Sequence, residues 1–168
     1  ENRVFVFNRR CPILPKDILT IAGAVKNLYE SVYEITPEES DLTEMKMHKL
    51  LYFAQKIHYA NFGEWLFNED FEGWVHGPVN REVRRSYAML PDTELEELTP
   101  EEEYTIREVV YDYGKYSASV LRNLSHQDKA YKLSRKGLEL TDPGDNIILK
   151  ENIIFDLSSR ENDSSDFI

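Results

Sequence analysis

The stretch Asp41-Leu42-Thr43-Glu44-Met45-Lys46-Met47-His48-Lys49-Leu50-Leu51-Tyr52-Phe53-Ala54-Gln55-Lys56-Ile57-His58-Tyr59 decides the fold. Met47, Leu50, Leu51, Ala54 and His58 fall on one stripe of a 3.6-residue period. Met45, Tyr52 and Tyr59 recur at seven-residue intervals on the far side. A helix that is apolar on two sides has to be covered on both, which makes it central in its domain. Asp41 or Thr43 supplies the N-cap, and Asn61-Phe62-Gly63 ends the run. The spacing predicts a central helix over residues 42–59.

Upstream, Ile18, Ile21, Ala22, Val25, Leu28, Tyr29, Val32 and Tyr33 follow Pro15 at helical spacing, and Thr36-Pro37-Glu38-Glu39 breaks the pattern. Downstream, Trp65-Leu66-Phe67 and Phe71-Glu72-Gly73-Trp74-Val75 are short and aromatic, divided by Asn68-Glu69-Asp70. They read as two extended pieces of a small hairpin. Gly77-Pro78 is a turn signal, with Pro78 placed to open a helix. In that helix Val79, Val83 and Tyr87 make one face, Arg81, Arg84 and Arg85 another, and Pro91 closes it. Thr99-Pro100-Glu101-Glu102 combines a capping box with proline at the first helical position, ahead of Ile106, Val109, Val110 and Tyr113. Gly114 suits the end of that helix. Ser117 and the run Ser125-His126-Gln127-Asp128 open two further short helices, and residues 141–145 form a loop. Residues 147–157 read as a last helix or as a strand running into one. The expected fold is mainly α: one helical domain over 15–157 with a small β element, an extension at 1–14, and a flexible acidic tail at 158–168.

Of the 168 residues, 41% are hydrophobic, enough to build the core of one domain. The net charge is −11. Residues 91–112 hold nine acids against Arg107, and residues 151–168 hold five against Arg160, so the excess acid sits in these two places. Such a run reads as a solvated face or, more sharply, as a docking surface for a basic partner. A polyanion is repelled by phosphate backbones, so direct nucleic-acid binding is disfavoured. No apolar run approaches the ~20 residues of a membrane span, no signal peptide is read at the start, and Cys11 is the one cysteine. A cytoplasmic protein is the expectation.

No catalytic constellation stands out. His48, His58, His76 and His126 form no H-E-x-x-H pattern, and paired cysteines, phosphate loops and nucleophile elbows are missing. Cys11, beside Arg9 and Arg10, is the one candidate nucleophile. The chain therefore reads as a non-enzyme without cofactor or metal. Arg81, Arg84 and Arg85, with Arg9, Arg10, Lys46 and Lys49, leave three readings open. They pair with the abundant glutamates, meet an anion, or meet a protein partner.

Lys46-Met47-His48-Lys49-Leu50-Leu51-Tyr52-Phe53-Ala54-Gln55, then Trp65-Leu66-Phe67, Glu72-Gly73-Trp74-Val75-His76-Gly77-Pro78-Val79 and Ser125-His126 occur in this order. Together they resemble the Panacea antitoxin domain, also called SocA-like or phage-associated GepA-type. The resemblance runs over residues 18–157. His48 stands where that family usually has glutamine, Gly73 where it has alanine, and Ala130-Tyr131 replaces a proline-tryptophan pair.

The resemblance implies a mostly helical domain that neutralises unrelated toxins by direct protein contact. Those toxins are often translation inhibitors, including enzymes that modify transfer RNA or make alarmone nucleotides. The expected partner is a cognate toxin, and a basic one given the acidic chain. A second reading is an adaptor that delivers its toxin to a Clp-type protease, or another phage or mobile-element regulatory binder. Many members carry a fused DNA-binding module, for which the length leaves no room. Lys46, Lys49, Tyr52, Trp74, Arg81, Arg84, Arg85 and His126 are the candidate partner-binding residues. Tyr52 and Lys49 are favoured because they lie away from the Leu51 stripe. Leu50, Leu51, Gly77, Pro78 and Val79 read as structural.

Overall fold

The computed structural model describes residues 14–164. In chain order the elements are α1 (Ile18–Val32), α2 (Glu44–Phe62), β1 (Phe71–Trp74), β2 (Gly77–Val79), α3 (Arg81–Ser86), α4 (Pro100–Tyr113), α5 (Ala118–His126), α6 (Lys129–Ser134), β3 (Ile147–Ile148) and α7 (Lys150–Ser164). The protein is mainly α with a small β element, as its periodicity predicts. Cys11, Arg9, Arg10 and nearly all of the expected extension lie outside the described residues. The last helix continues to Ser164, beyond the boundary that composition places at 157.

Local chemistry explains the helix ends. Thr43 caps α2 by accepting from the Lys46 N–H at 3.2 Å, and Gly63, at φ +69°, closes it in the left-handed conformation. Asp17 caps α1 through the Thr20 N–H at 2.8 Å. The Thr99–Glu102 capping box forms in both directions, with Pro100 first in α4. Ser117 caps α5.

Helix α2 is the axis of the fold, packed by α4, α5, β2, α7 and α3, while α1 packs on α4 and α3 and reaches α2 through the Tyr29–Lys46 hydrogen bond. Met47, Leu50, Leu51 and Ala54 are completely buried, together with Ile18, Ile21 and Val25 of α1 and Ile106, Val109 and Val110 of α4. Tyr113 of α4 stacks on Phe53 at 4.9 Å between centroids.

The sheet differs from the expected hairpin. β1 lies in the middle, antiparallel to β2 on one side and β3 on the other, with Trp74 opposite Gly77 and Phe71 opposite Ile148. The turn is therefore Val75-His76, and Trp65-Leu66-Phe67 is not a strand. The physical reason is Gln55. Its Oε1 accepts the N–H groups of Leu66 and Phe67 at 2.8 and 3.3 Å, and its Nε2 donates to the Phe67 carbonyl at 2.8 Å. A side chain satisfies the backbone that a strand partner would have taken. Pro78 likewise opens no helix but sits in β2, at the sheet edge, where a missing N–H costs nothing. Asn80 starts α3 instead: its Oδ1 accepts from the Val83 N–H at 3.0 Å, and its Nδ2 donates to the Asp70 carbonyl at 2.9 Å. α3 ends at Ser86, short of Pro91.

Candidate functional site

The β1–β2 turn gathers most of the motif residues. Trp74 ends β1 and is half-buried, and its indole N–H donates to Glu72 Oε2 at 3.1 Å. The Asn80 cap sets the phase of α3 so that Arg81 and Arg84, three residues apart, both lie against this ring. Their guanidinium carbons stand 5.4 and 5.2 Å from its centroid. Arg81 Nε is forked by Glu72 at 2.7 and 3.0 Å, and its Nη2 reaches Asp145 at 3.3 Å. Arg84 reaches Glu44 at 3.1 Å. Pairing with acids thus holds for both arginines, yet each stays about half exposed, at 51% and 50% of the side chain. Pro143, Gly144 and Asp145 complete a shallow cleft beside Trp74. Arg85 is exposed and forms no ion pair among the described residues.

Three candidate residues lie inside the fold, not on it. Lys46, Lys49 and Tyr52 are 2%, 1% and 0% exposed, because α2 is covered on the side away from Leu51 as well. Lys46 donates to the Tyr29 hydroxyl at 2.7 Å, and that hydroxyl donates to Asp41. Burial lowers the Lys46 pKa, and burial together with Asp41 raises that of Tyr29. Tyr52 donates to Asp128 Oδ2 at 3.0 Å, and the same carboxylate pairs with Lys56. Asp128 precedes α6 but leaves capping to others, and Asp156 takes the Ala130 N–H at 2.8 Å.

His48 is also fully buried, and burial holds its pKa down to about 4. The ring is neutral at pH 7, with Nδ1 accepting the Asn80 N–H at 3.2 Å and Nε2 facing Glu44 at 3.1 Å. One acceptor and one donor are what an amide also offers, so histidine can stand where the resembling family has glutamine.

His126 ends α5 and stacks on Tyr131 at 4.6 Å. The Tyr131 hydroxyl donates to the Trp74 carbonyl at 2.6 Å. The late motif pair is therefore joined to the Trp74 turn through one side chain. Gly73 lets α6 approach β1, since a Cβ there would come within 2.0 Å of Ser134 Oγ. Burial lowers the His126 pKa, and Arg122, Lys49, Arg135 and His76 push it the same way.

The acid of residues 91–112 lies on the α4 side. Glu94, Glu96, Glu97 and Asp112 are exposed. Glu102 is buried, held by the capping box and by Lys16 at 3.3 Å, and Glu103 pairs with Arg107 at 2.9 Å. Among the described residues no group of three His, Cys, Asp or Glu side chains could hold a metal, and no helix is long and apolar enough to cross a membrane.

This is the architecture of a helical domain built on one buried helix, with a small sheet presenting a tryptophan against two arginines of α3. The family model described as "Antitoxin SocA-like, Panacea domain" matches residues 47–132, just over half of the chain, and the chain belongs to that family. The match spans all of β1, β2, α3, α4 and α5, with most of α2 and the start of α6. Every candidate partner-binding residue except Lys46 falls within it. No curated protein and no solved structure matches the chain.

Proposed function

We propose that this protein is the antitoxin of a toxin–antitoxin pair, and that it neutralises a cognate toxin in the cytoplasm by direct protein contact, without catalysis. The family match over residues 47–132 carries this reading. The Trp74–Arg81–Arg84 cluster supports a contact there, because tryptophan and arginine dominate the energetics of protein interfaces. The exposed acid around α4 favours a basic partner, such as an enzyme acting on RNA or nucleotides, and speeds encounter with it.

The test is co-expression with the adjacent open reading frame. Rescue of growth together with a stable purified complex supports the reading, and Trp74→Ala is expected to weaken that complex by more than about 1 kcal/mol while the domain stays folded. Rescue that disappears when a Clp-type protease is deleted would assign the chain to delivery instead of occlusion.

A further inference from the structure

Beneath the Trp74 turn lie Lys49, Arg122 and His126, none of which forms an ion pair among the described residues. Lys49 is 1% exposed, and among the described residues its ammonium has one hydrogen-bond contact, the Pro78 carbonyl at 3.5 Å, longer than a good hydrogen bond. Arg122 Nε and His126 Nε2 are both buried atoms without a hydrogen-bond partner among the described residues. The three belong to one place. Lys49 Nζ lies 3.4 Å from where a Cβ on Gly77 would stand, and Ser125 Oγ lies 3.1 Å from the same point. Ser125 is the neighbour of His126 and donates to the Arg122 carbonyl at 2.8 Å. Arg135 and His76 add to the same field. Among the described residues neither Lys49 nor Arg122 forms an ion pair, and Glu44, the one acid acting on Lys49, is engaged by His48 and Arg84.

Leaving a buried charge and two buried nitrogens unpaired in one spot is costly, and native proteins rarely do so without a reason. Burial, with Arg122 beside it, pulls the Lys49 pKa down to about 8, and Glu44 offsets this only in part. Arg122 and His126 are only partly covered as residues, and His76 is exposed.

We propose that Lys49, Arg122 and His126 form a binding site for a small oxyanion, a phosphate or carboxylate group. The ammonium supplies a point charge, the guanidinium a directed N–H, and the imidazole a third donor. Gly77, at φ +107°, keeps the turn close over the lysine. The site is separate from the antitoxin reading, and its test needs no toxin.

Inorganic phosphate is titrated into the full chain at constant ionic strength, with chloride as the matched control and acetate as the carboxylate arm. Binding is read by calorimetry and by the His126 imidazole resonances. Saturable one-to-one binding of phosphate or acetate over chloride is expected, with a raised melting temperature, and the tighter arm names the group. Arg122→Gln and Lys49→Met should each weaken binding roughly tenfold or more, the loss of one charge-assisted hydrogen bond. Arg107→Gln, on α4, should leave it unchanged. Arg122 is partly exposed, so its substitution remains informative even where Lys49→Met fails to fold. No saturable response to either anion overturns the proposal, and so does undiminished binding by the folded Arg122→Gln variant.

Discussion

Lys49 and Lys56 lie seven residues apart on one side of α2, two turns along the helix, and both are buried. Their surroundings are opposite. Lys56 has the Asp128 carboxylate, shared with Tyr52, and lies over the Tyr52 and Phe53 rings at 5.5 and 5.9 Å. Lys49 has a distant carbonyl, with Arg122 beside it and Glu44, engaged by His48 and Arg84, as the acid acting on it. The same residue type on the same helix face is a closed structural pair in one place and an open electrostatic site in the other. What separates them is which distant segment arrives: Asp128 ahead of α6, or Arg122 and His126 of α5.

The sharpest way to break this comparison is to remove the acid from the closed pair. Asp128→Ala strands Lys56 in the core and is expected to cost about 3–5 kcal/mol in denaturant unfolding. A loss under about 1 kcal/mol would mean that the two lysines are equivalent. On the opposite, apolar face of the helix, Leu51→Ala should cost about 2–5 kcal/mol, because a fully buried leucine leaves a cavity. An unchanged melting temperature would remove α2 from the centre of the fold.

Lys49→Met should have a far smaller effect, within about 1 kcal/mol or even stabilising, since it deletes a buried charge that forms no ion pair among the described residues. Its pH dependence sharpens the contrast. The folded pKa of Lys49 is about 8, against the usual value of 10.5. Between these values the unfolded chain holds more protons, so Lys49 makes stability rise as pH climbs from about 8 towards 10.5. Below pH 8 both states are protonated and the penalty for burying the charge is fully present. Comparing wild type with Lys49→Met across this window isolates the group, and matching slopes would show that Lys49 is not the source.

The smallest effect belongs to the solvated acids. Glu96, Glu101 and Asp112 make no side-chain bond among the described residues, unlike Glu97, Glu102 and Glu103, which cap or pair. Glu96→Gln, Glu101→Gln and Asp112→Asn together should leave stability within about 0.5 kcal/mol. Against a basic toxin they should slow association a few-fold at low salt with little change in dissociation. Equal association rates would return this face to plain solvation.

Much of the fold was legible because helix signals are local. Thr43, Thr99-Pro100 and Ser117 announce helix starts within three or four residues of the groups they satisfy, and the α2 stripe needs no knowledge of what covers it. The hairpin was misplaced for the opposite reason. Trp65-Leu66-Phe67 has strand composition, but Gln55, 11 to 12 residues away in sequence, takes the backbone groups of Leu66 and Phe67. For the site, Trp74, Arg81, Arg84 and His126 could be singled out from the motif and from residue chemistry, though not their meeting through Tyr131. The side of α2 away from Leu51 reads as open to a partner, yet Lys49 is buried there, because helical phase says which side a residue faces and not whether that side is covered.

By itself, then, the chain determined its helices, their caps, the central rank of α2 and the family, since each depends on residues close together or on an ordered motif. Tertiary structure alone decided that both faces of α2 are buried, that Asp128 meets Lys56, and that Arg122 and His126 meet Lys49 with no ion pair among the described residues. Charges 70 or more residues apart are brought together only by packing, and in a low-dielectric interior their meeting settles whether a buried lysine is a strut or a site.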